Sequence, residues 1–207
     1  MAATVRLTET AVTAVGEFGH AVQARLLAAG ATALDADRPE PGGARAMVLV
    51  SWRPEPDLAR RFDELAFRAG IGWLPVVMEH PWLIVGPWVA PGGPCYDCYG
   101  FRREQHDPKA RHRAALLAAY RADDGLGVYG HLPHHLRIAE ALVQLMLQHP
   151  QPGMTSMVDL STMLVSRVDV IARHGCPRCG TADTWGDPRL AATLAETVNR
   201  LAEGALA

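Results

Sequence analysis

The chain is short of several things, and each shortage narrows its chemistry. Lys109 is the only lysine among 207 residues, the basic complement being otherwise arginine. An enzyme that grips nucleotide phosphates with a lysine near its first strand finds none here. The 20 Lys and Arg against 22 Asp and Glu give a net charge of −2, so no broad positive field exists to meet a phosphate backbone. We therefore expect no nucleic-acid partner. No apolar run approaches the ~20 residues that cross a bilayer, and "MAATVRLTET" lacks the charged-then-apolar order of a signal peptide. The expectation is a cytoplasmic protein with no membrane partner. A Gly-x-Ser-x-Gly elbow, a Walker loop and a His-Glu-x-x-His helix are also missing. What the chain does have is length and apolar content, 49% of 207 residues, enough to bury a core without staples.

Cysteine is scarce too, and its placement is informative. The four cysteines form two Cys-x-x-Cys pairs, Cys95 with Cys98 in "PCYDCYG" and Cys176 with Cys179 in "HGCPRCG". In a reducing compartment such pairs read as a tetrathiolate zinc site, because a tight turn aims two sulfurs at one point and two turns complete a tetrahedron. With every position held by sulfur no water is bound, so the zinc is structural and not catalytic. Pro177 and Gly180 favour the second turn. The alternative is two redox-active or merely buried thiol pairs. His174, beside Cys176, reads as a solvated neighbour and not as a ligand.

Hydrophobic periodicity predicts an α/β chain. "AVTAV" (11–15) reads as a short buried strand, followed by a turn "GEFG" and an Ala-rich helix from about His20 to Ala29 closed by Gly30. Strands are expected at 31–34 and at "AMVLVSW" (46–52), with a loop over 35–45. A helix follows from Pro56 to Ala69, then strands "GWLPVVME" and "PWLIVGPWV". This order implies parallel strands with crossover helices. Further on we expect a surface helix and loop between Tyr99 and Ala122. A helix from Pro133 to His149 should bury Ile138, Leu142, Leu145 and Met146. "MTSMVDL" and "TMLVSRVDVIA" read as a two-strand unit, and a last helix is expected near Pro188 to Leu201.

The phrases "IVGPWVAPGGPCYDCYGFRRE" and "ARHGCPRCG", behind a strand-helix-strand start, resemble the ThiF/E1-like superfamily. Within it they are most similar to the E1-like proteins that partner YcaO enzymes in forming thiazole- and oxazole-type azolines in ribosomal peptide natural products. The resemblance spans residues 11–180. It implies a Rossmann-like sheet with flanking helices and a tetrathiolate zinc lobe whose ligands are Cys95, Cys98, Cys176 and Cys179. One E1-like domain over 1–207 would then comprise a degenerate Rossmann-like half to about residue 93 and a zinc-containing half from about residue 94.

Departures from that pattern shape the expected function. Active members place Gly-x-Gly-x-x-Gly after the first strand so that backbone closes on phosphates at a helix N-terminus. Here the turn reads "VGEFGHAV", with Gly16 and Gly19 alone, and with Glu17 and Phe18 opposing phosphate by charge and bulk. Asp35 and Asp37 read as a solvated loop and not as a ribose-binding acid. We expect the adenylation site to be lost, with no catalytic or cofactor-binding residues. The stretch before residue 11 is also too short for the winged-helix unit with which such partners capture a leader peptide by strand addition.

The expected function is a non-catalytic scaffold or activator for a YcaO-type cyclodehydratase, its partners being that enzyme or the precursor peptide, with a homodimer possible. The alternative is a divergent ThiF-like adenylyltransferase that activates a carboxylate with ATP. His106, His112, His131, His134 and His135 read as surface residues, and Trp52, Trp73, Trp82 and Trp88 as core or interface. Two docking surfaces are candidates, the Trp82 to Trp88 strand running into the zinc lobe and the Arg/His-rich segment from Phe101 to Arg121, with Arg102, Arg103, Arg111 and Arg113; the second is favoured over the first, its alternative being a solvated helix face.

Overall fold

The computed structural model describes residues 3–36 and 39–179. Asp37, Gly180 and the helix expected near Pro188 lie outside the described residues. Seven strands form one sheet in the order β2-β1-β3-β4-β5-β6-β7. These are β1 (Thr10–Val15), β2 (Thr32–Ala33), β3 (Ala46–Ser51), β4 (Gly72–Glu79), β5 (Trp82–Val85), β6 (Met154–Asp159) and β7 (Val165–Asp169). Among the described residues five α-helices flank them: α1 (Gly16–Ala28), α2 (Pro56–Ala69), α3 (Tyr96–His106), α4 (Ala110–Ala122) and α5 (Pro133–Gln148). The expected α/β, Rossmann-like sheet with flanking helices is observed, but it is mixed and not parallel throughout, the expected strand at 82–85 pairing antiparallel.

The sheet changes character halfway across. β1 to β4 pair in parallel, whereas β5, β6 and β7 pair antiparallel. The cause is connection length. Helices α1 and α2 carry the chain back between parallel neighbours, but only His80 and Pro81 join β4 to β5, and so short a link reverses direction. No helix among the described residues is long and apolar enough to cross a membrane.

Strand alternation divides the core into two layers. Val12, Val48, Val50, Leu74, Val76, Leu83 and Val85 face α1 and α5, meeting Val22, Leu26, Val143 and Met146. On the opposite face Met47, Leu49 and Trp73 meet Ala59, Phe62 and Ala66 of α2. Helix α2 starts with Pro56 in its first turn and ends at Gly70, whose φ of 67° lets the last amides turn back onto Ala66 and Phe67. Helix α1 begins earlier than expected, at Gly16, so "GEFG" is its first turn. The core face of α5 runs one residue later than expected, through His135, Ala139, Val143, Met146 and Leu147, with Ile138 and Leu142 packed at its margin.

Phe62 is 0% exposed and packs beside Trp73 with ring centroids 6.4 Å apart. Phe62→Ala is expected to cost about 3–5 kcal/mol, read as a lower urea midpoint at unchanged m-value.

Candidate metal centre

The two cysteine pairs reach one point by different routes. Cys95 caps the N-terminus of α3 and Cys98 lies in its first turn. The intervening Tyr96 fixes that helix start, its ring 5.4 Å from Trp73 of β4 and 5.6 Å from Tyr99. Cys176 and Cys179 arrive from the end of β7 through the stretch 170–175. Cys95 Sγ lies 3.7 Å from Cys176 Sγ, and Cys98 Sγ lies 3.4 Å from Cys179 Sγ. All four sulfurs fall within 4.8 Å of one another, and all but Cys179 are buried. Among the described residues no other group of His, Cys, Asp or Glu is arranged to hold a metal ion.

The donor set fits a tetrahedral cation. Zinc–sulfur bonds of about 2.3 Å place sulfurs about 3.8 Å apart at tetrahedral angles, close to both measured separations. The backbone N–H of Cys95 donates to Cys179 Sγ at 3.3 Å, and that of Arg173 donates to Cys98 Sγ at 3.2 Å. Such bonds, with the positive end of α3, stabilise thiolate sulfur and orient it. Burial pushes the Cys95 thiol up to about 11. At Cys176 burial acts in the same direction, but the amides of Cys179 and Arg178 outweigh it and bring the thiol down to about 6. Burial also raises Cys179. A bound cation would therefore have to displace protons from the buried thiols.

Two arginines fasten the second cysteine pair to the body. Arg178, between Cys176 and Cys179, places Nη1 2.9 Å from Asp63 Oδ2 and stacks over the Phe67 ring at 4.8 Å. Asp63 is 2% exposed and accepts a hydrogen bond from Trp73 Nε1 at 2.9 Å. Burial raises its carboxyl, against the pull of Trp73 and Arg178. Arg102 donates from Nε to Ile171 O at 3.2 Å and from Nη2 to Ala172 O at 3.3 Å. Sequence reasoning missed Arg178, although its position inside the second Cys-x-x-Cys was a signal.

Of the four arginines expected to dock a partner, Arg102 is one of three with contacts inside the chain. Arg103 makes a forked contact to Glu79 at 2.8 and 3.2 Å, and Arg113 binds the same carboxylate. Three of the four arginines are thus spent holding α3, α4 and the metal-site loop to the sheet, and only Arg111 stands on the exposed surface. Glu79, at the end of β4, draws Arg103 and Arg113 inward, and the carbonyls of Ile171 and Ala172 hold Arg102.

At the C-terminal ends of the parallel strands a Rossmann fold receives phosphates. Here Trp52, the residue after β3, lies against Gly16, whose φ is +73°; a Cβ at Gly16 would stand 2.1 Å from Trp52 Cδ1. The indole is covered by Gly127 and by Tyr129 at 4.5 Å between ring centroids. Arg53, 4% exposed, stacks on Trp52 and binds the carbonyls of Tyr120, Asp123 and Leu126, fastening this cover. Gly19 packs α1 on β3, a Cβ there meeting Val50 O at 2.7 Å. Phe18 does not face the crevice as expected; it is 2% exposed in the core, and Glu17 points to solvent.

The remaining candidates disperse. His135 is buried, not on the surface, because its Nδ1 accepts the Leu132 N–H at 3.2 Å and caps α5. Burial lowers its pKa. His131 packs edge-on to Phe18, while His106, His112 and His134 are exposed. Trp73 lies on one sheet face and Trp52 and Trp88 on the other, so the tryptophans form no single cluster.

No protein-family model matches the sequence, and no curated protein matches it. The fold is similar to that of a heterocyclase solved with substrate and cofactor, at TM-score 0.58 and 20% identity over 84% of this chain. It is similar also to the E. coli microcin synthetase McbBCD complex, at TM-score 0.61 and 14% identity over 81% of this chain and 66% of that one. E. coli MccB matches at TM-score 0.55 and 12% identity over 84% of this chain and 68% of that one. The chain spans only 26% of the heterocyclase chain, and 27% of the heterocyclase TruD.

Freshly purified protein is expected to carry about one zinc per chain, read by elemental analysis. Cys98→Ser or Cys176→Ser should abolish it and lower the melting temperature sharply, since structural zinc contributes on the order of 10 kcal/mol. Metal release should increase as pH falls, because protons compete for the buried thiolates. Unaltered melting in both variants would mean the thiols hold nothing.

Proposed function

We propose that this chain is a zinc-stabilised E1-like subunit without adenylation activity, acting as scaffold or activator for a YcaO-type cyclodehydratase that modifies a ribosomal precursor peptide. The observation that carries the reading is Trp52 lying on Gly16. It occupies the ground above the α1 N-terminus where a nucleotide's phosphates would need direct approach to backbone amides. The likeness of fold to a heterocyclase and to the McbBCD complex, also solved with pro-MccB17 bound, supports the setting.

In this division of labour the partner holds ATP and activates the backbone amide. This chain positions the peptide or completes the partner's active site. Cys95, Cys98, Cys176 and Cys179 hold zinc as a structural brace and take no part in chemistry. The chain works as one E1-like domain, with a degenerate Rossmann-like half to about residue 93 and a zinc-containing half beyond it.

Titration calorimetry of magnesium-ATP into the zinc-loaded chain tests the reading. No binding is expected at micromolar concentrations. Micromolar affinity would favour the adenylyltransferase alternative and would require Trp52 to leave Gly16.

A further inference from the structure

Each of the two cysteine turns carries a residue that reaches past the thiols to the same place in the core. Tyr96, next to Cys95, sets its ring 5.4 Å from that of Trp73 on β4. Arg178, between Cys176 and Cys179, brings Nη1 to 2.9 Å from Asp63 Oδ2, while its Nη2 donates to the Asp63 carbonyl. Trp73 and Asp63 are themselves joined, the indole Nε1 donating to Asp63 Oδ1 at 2.9 Å. Trp73 is 0% and Asp63 2% exposed, so the pair belongs to the packed layer between β4 and α2 and is no surface contact.

The thiol lobe has little else to align its two turns, since its apolar cluster consists of the cysteines and Ala172. Asp63, by contrast, holds a carboxylate where water does not reach. Burial works against that charge, while Trp73, Arg178 and the backbone N–H of Tyr96 work for it. Oδ2 makes no aligned hydrogen bond among the described residues and depends on its ion pair with Arg178. Removing one partner of a buried pair is costly because a bare charge stays behind. Arg178 is steadied further by the Phe67 ring at 4.8 Å and by Glu64 at 3.5 Å. The second turn therefore has one favoured position. In it Cys176 stands 3.7 Å from Cys95, and Cys179 stands 3.4 Å from Cys98.

We infer that Asp63, fixed by Trp73, is a positioning residue for the metal centre: it holds both Cys-x-x-Cys turns at the spacing a tetrahedral cation needs, and so sets the affinity for zinc. Asp63 is not one of the four ligands. Its contribution is preorganisation, and outer partners of this kind govern metal affinity by about tenfold to a hundredfold. The dependence is reciprocal, metal binding securing the Arg178–Asp63 pair as much as the pair secures the metal. Occupancy of the thiol site is thereby coupled to the packing of α2 on β4. This role rests on the four thiols being a zinc site and is independent of any part in peptide modification.

Competition for zinc between the full-length chain and a chromophoric chelator tests it. Asp63→Asn keeps the shape and an acceptor for Trp73 but removes the charge, and Arg178→Gln removes the guanidinium. Each is expected to weaken zinc binding about tenfold or more. Arg178→Lys keeps the charge and should recover part of the loss. Because R178Q strands the carboxylate, the double variant D63N/R178Q should lose no more than R178Q alone. At saturating cobalt, thiolate-to-metal absorption of wild-type intensity in the variants is expected, showing that all four sulfurs still bind. The Arg178 side chain is 19% exposed, at the rim of the core, so R178Q decides the question if D63N does not fold. Zinc affinity within about twofold of wild type in folded R178Q overturns the inference, as do additive losses in the double variant. A wild type that takes up no zinc overturns it together with the metal site itself.

Discussion

Four thiols brought within one bond-length's reach of a common centre are the constraint on which the second half of the molecule depends. Cys95 and Cys98 belong to the start of α3, and Cys176 and Cys179 to the run-out of β7, two elements with little apolar contact between them. Burial alone cannot hold such a set together, because it disfavours thiolates while offering only a small apolar cluster in return. A cation held there would resolve the conflict by neutralising the sulfurs and fixing their angles. Arg102, Arg173 and Arg178 then act as stays. They bind carbonyls, give an amide to sulfur and tie the second pair to Asp63 beneath α2.

At the other end of the strands, two glycines of the turn after β1 serve packing. Gly19 still lets α1 lie close on β3, which is a packing role. Gly16 still admits a close neighbour, but that neighbour is Trp52. Arg53 is buried beneath the loop that covers the indole and ion-pairs with Glu55, so opening the crevice would cost it the carbonyls of Tyr120, Asp123 and Leu126. The cover over Trp52 is thus tied to β3 by Arg53.

The strands were legible because each is a short apolar run bounded by Gly, Pro or charge, and α2 because Pro56 and Gly70 mark both ends. The thiol site was legible from spacing alone. Side-chain destinations were not. Arg103 and Arg113 look like a solvated basic face until β4 ends at Glu79 between them, a contact across residues far apart in the chain. Phe18 looked like part of a turn because helical periodicity does not show that a helix starts on its glycine.

On the proposed reading, this chain contributes to peptide modification without activating the substrate itself. The direct measurement is reconstitution of the cognate YcaO-type enzyme with its precursor peptide and ATP, with and without this chain. Mass spectrometry would follow the loss of one water per ring formed. Dehydration is expected only when the chain is present, with ATP consumed by the partner. Equal modification in its absence, or ATP consumption by this chain alone, would contradict it.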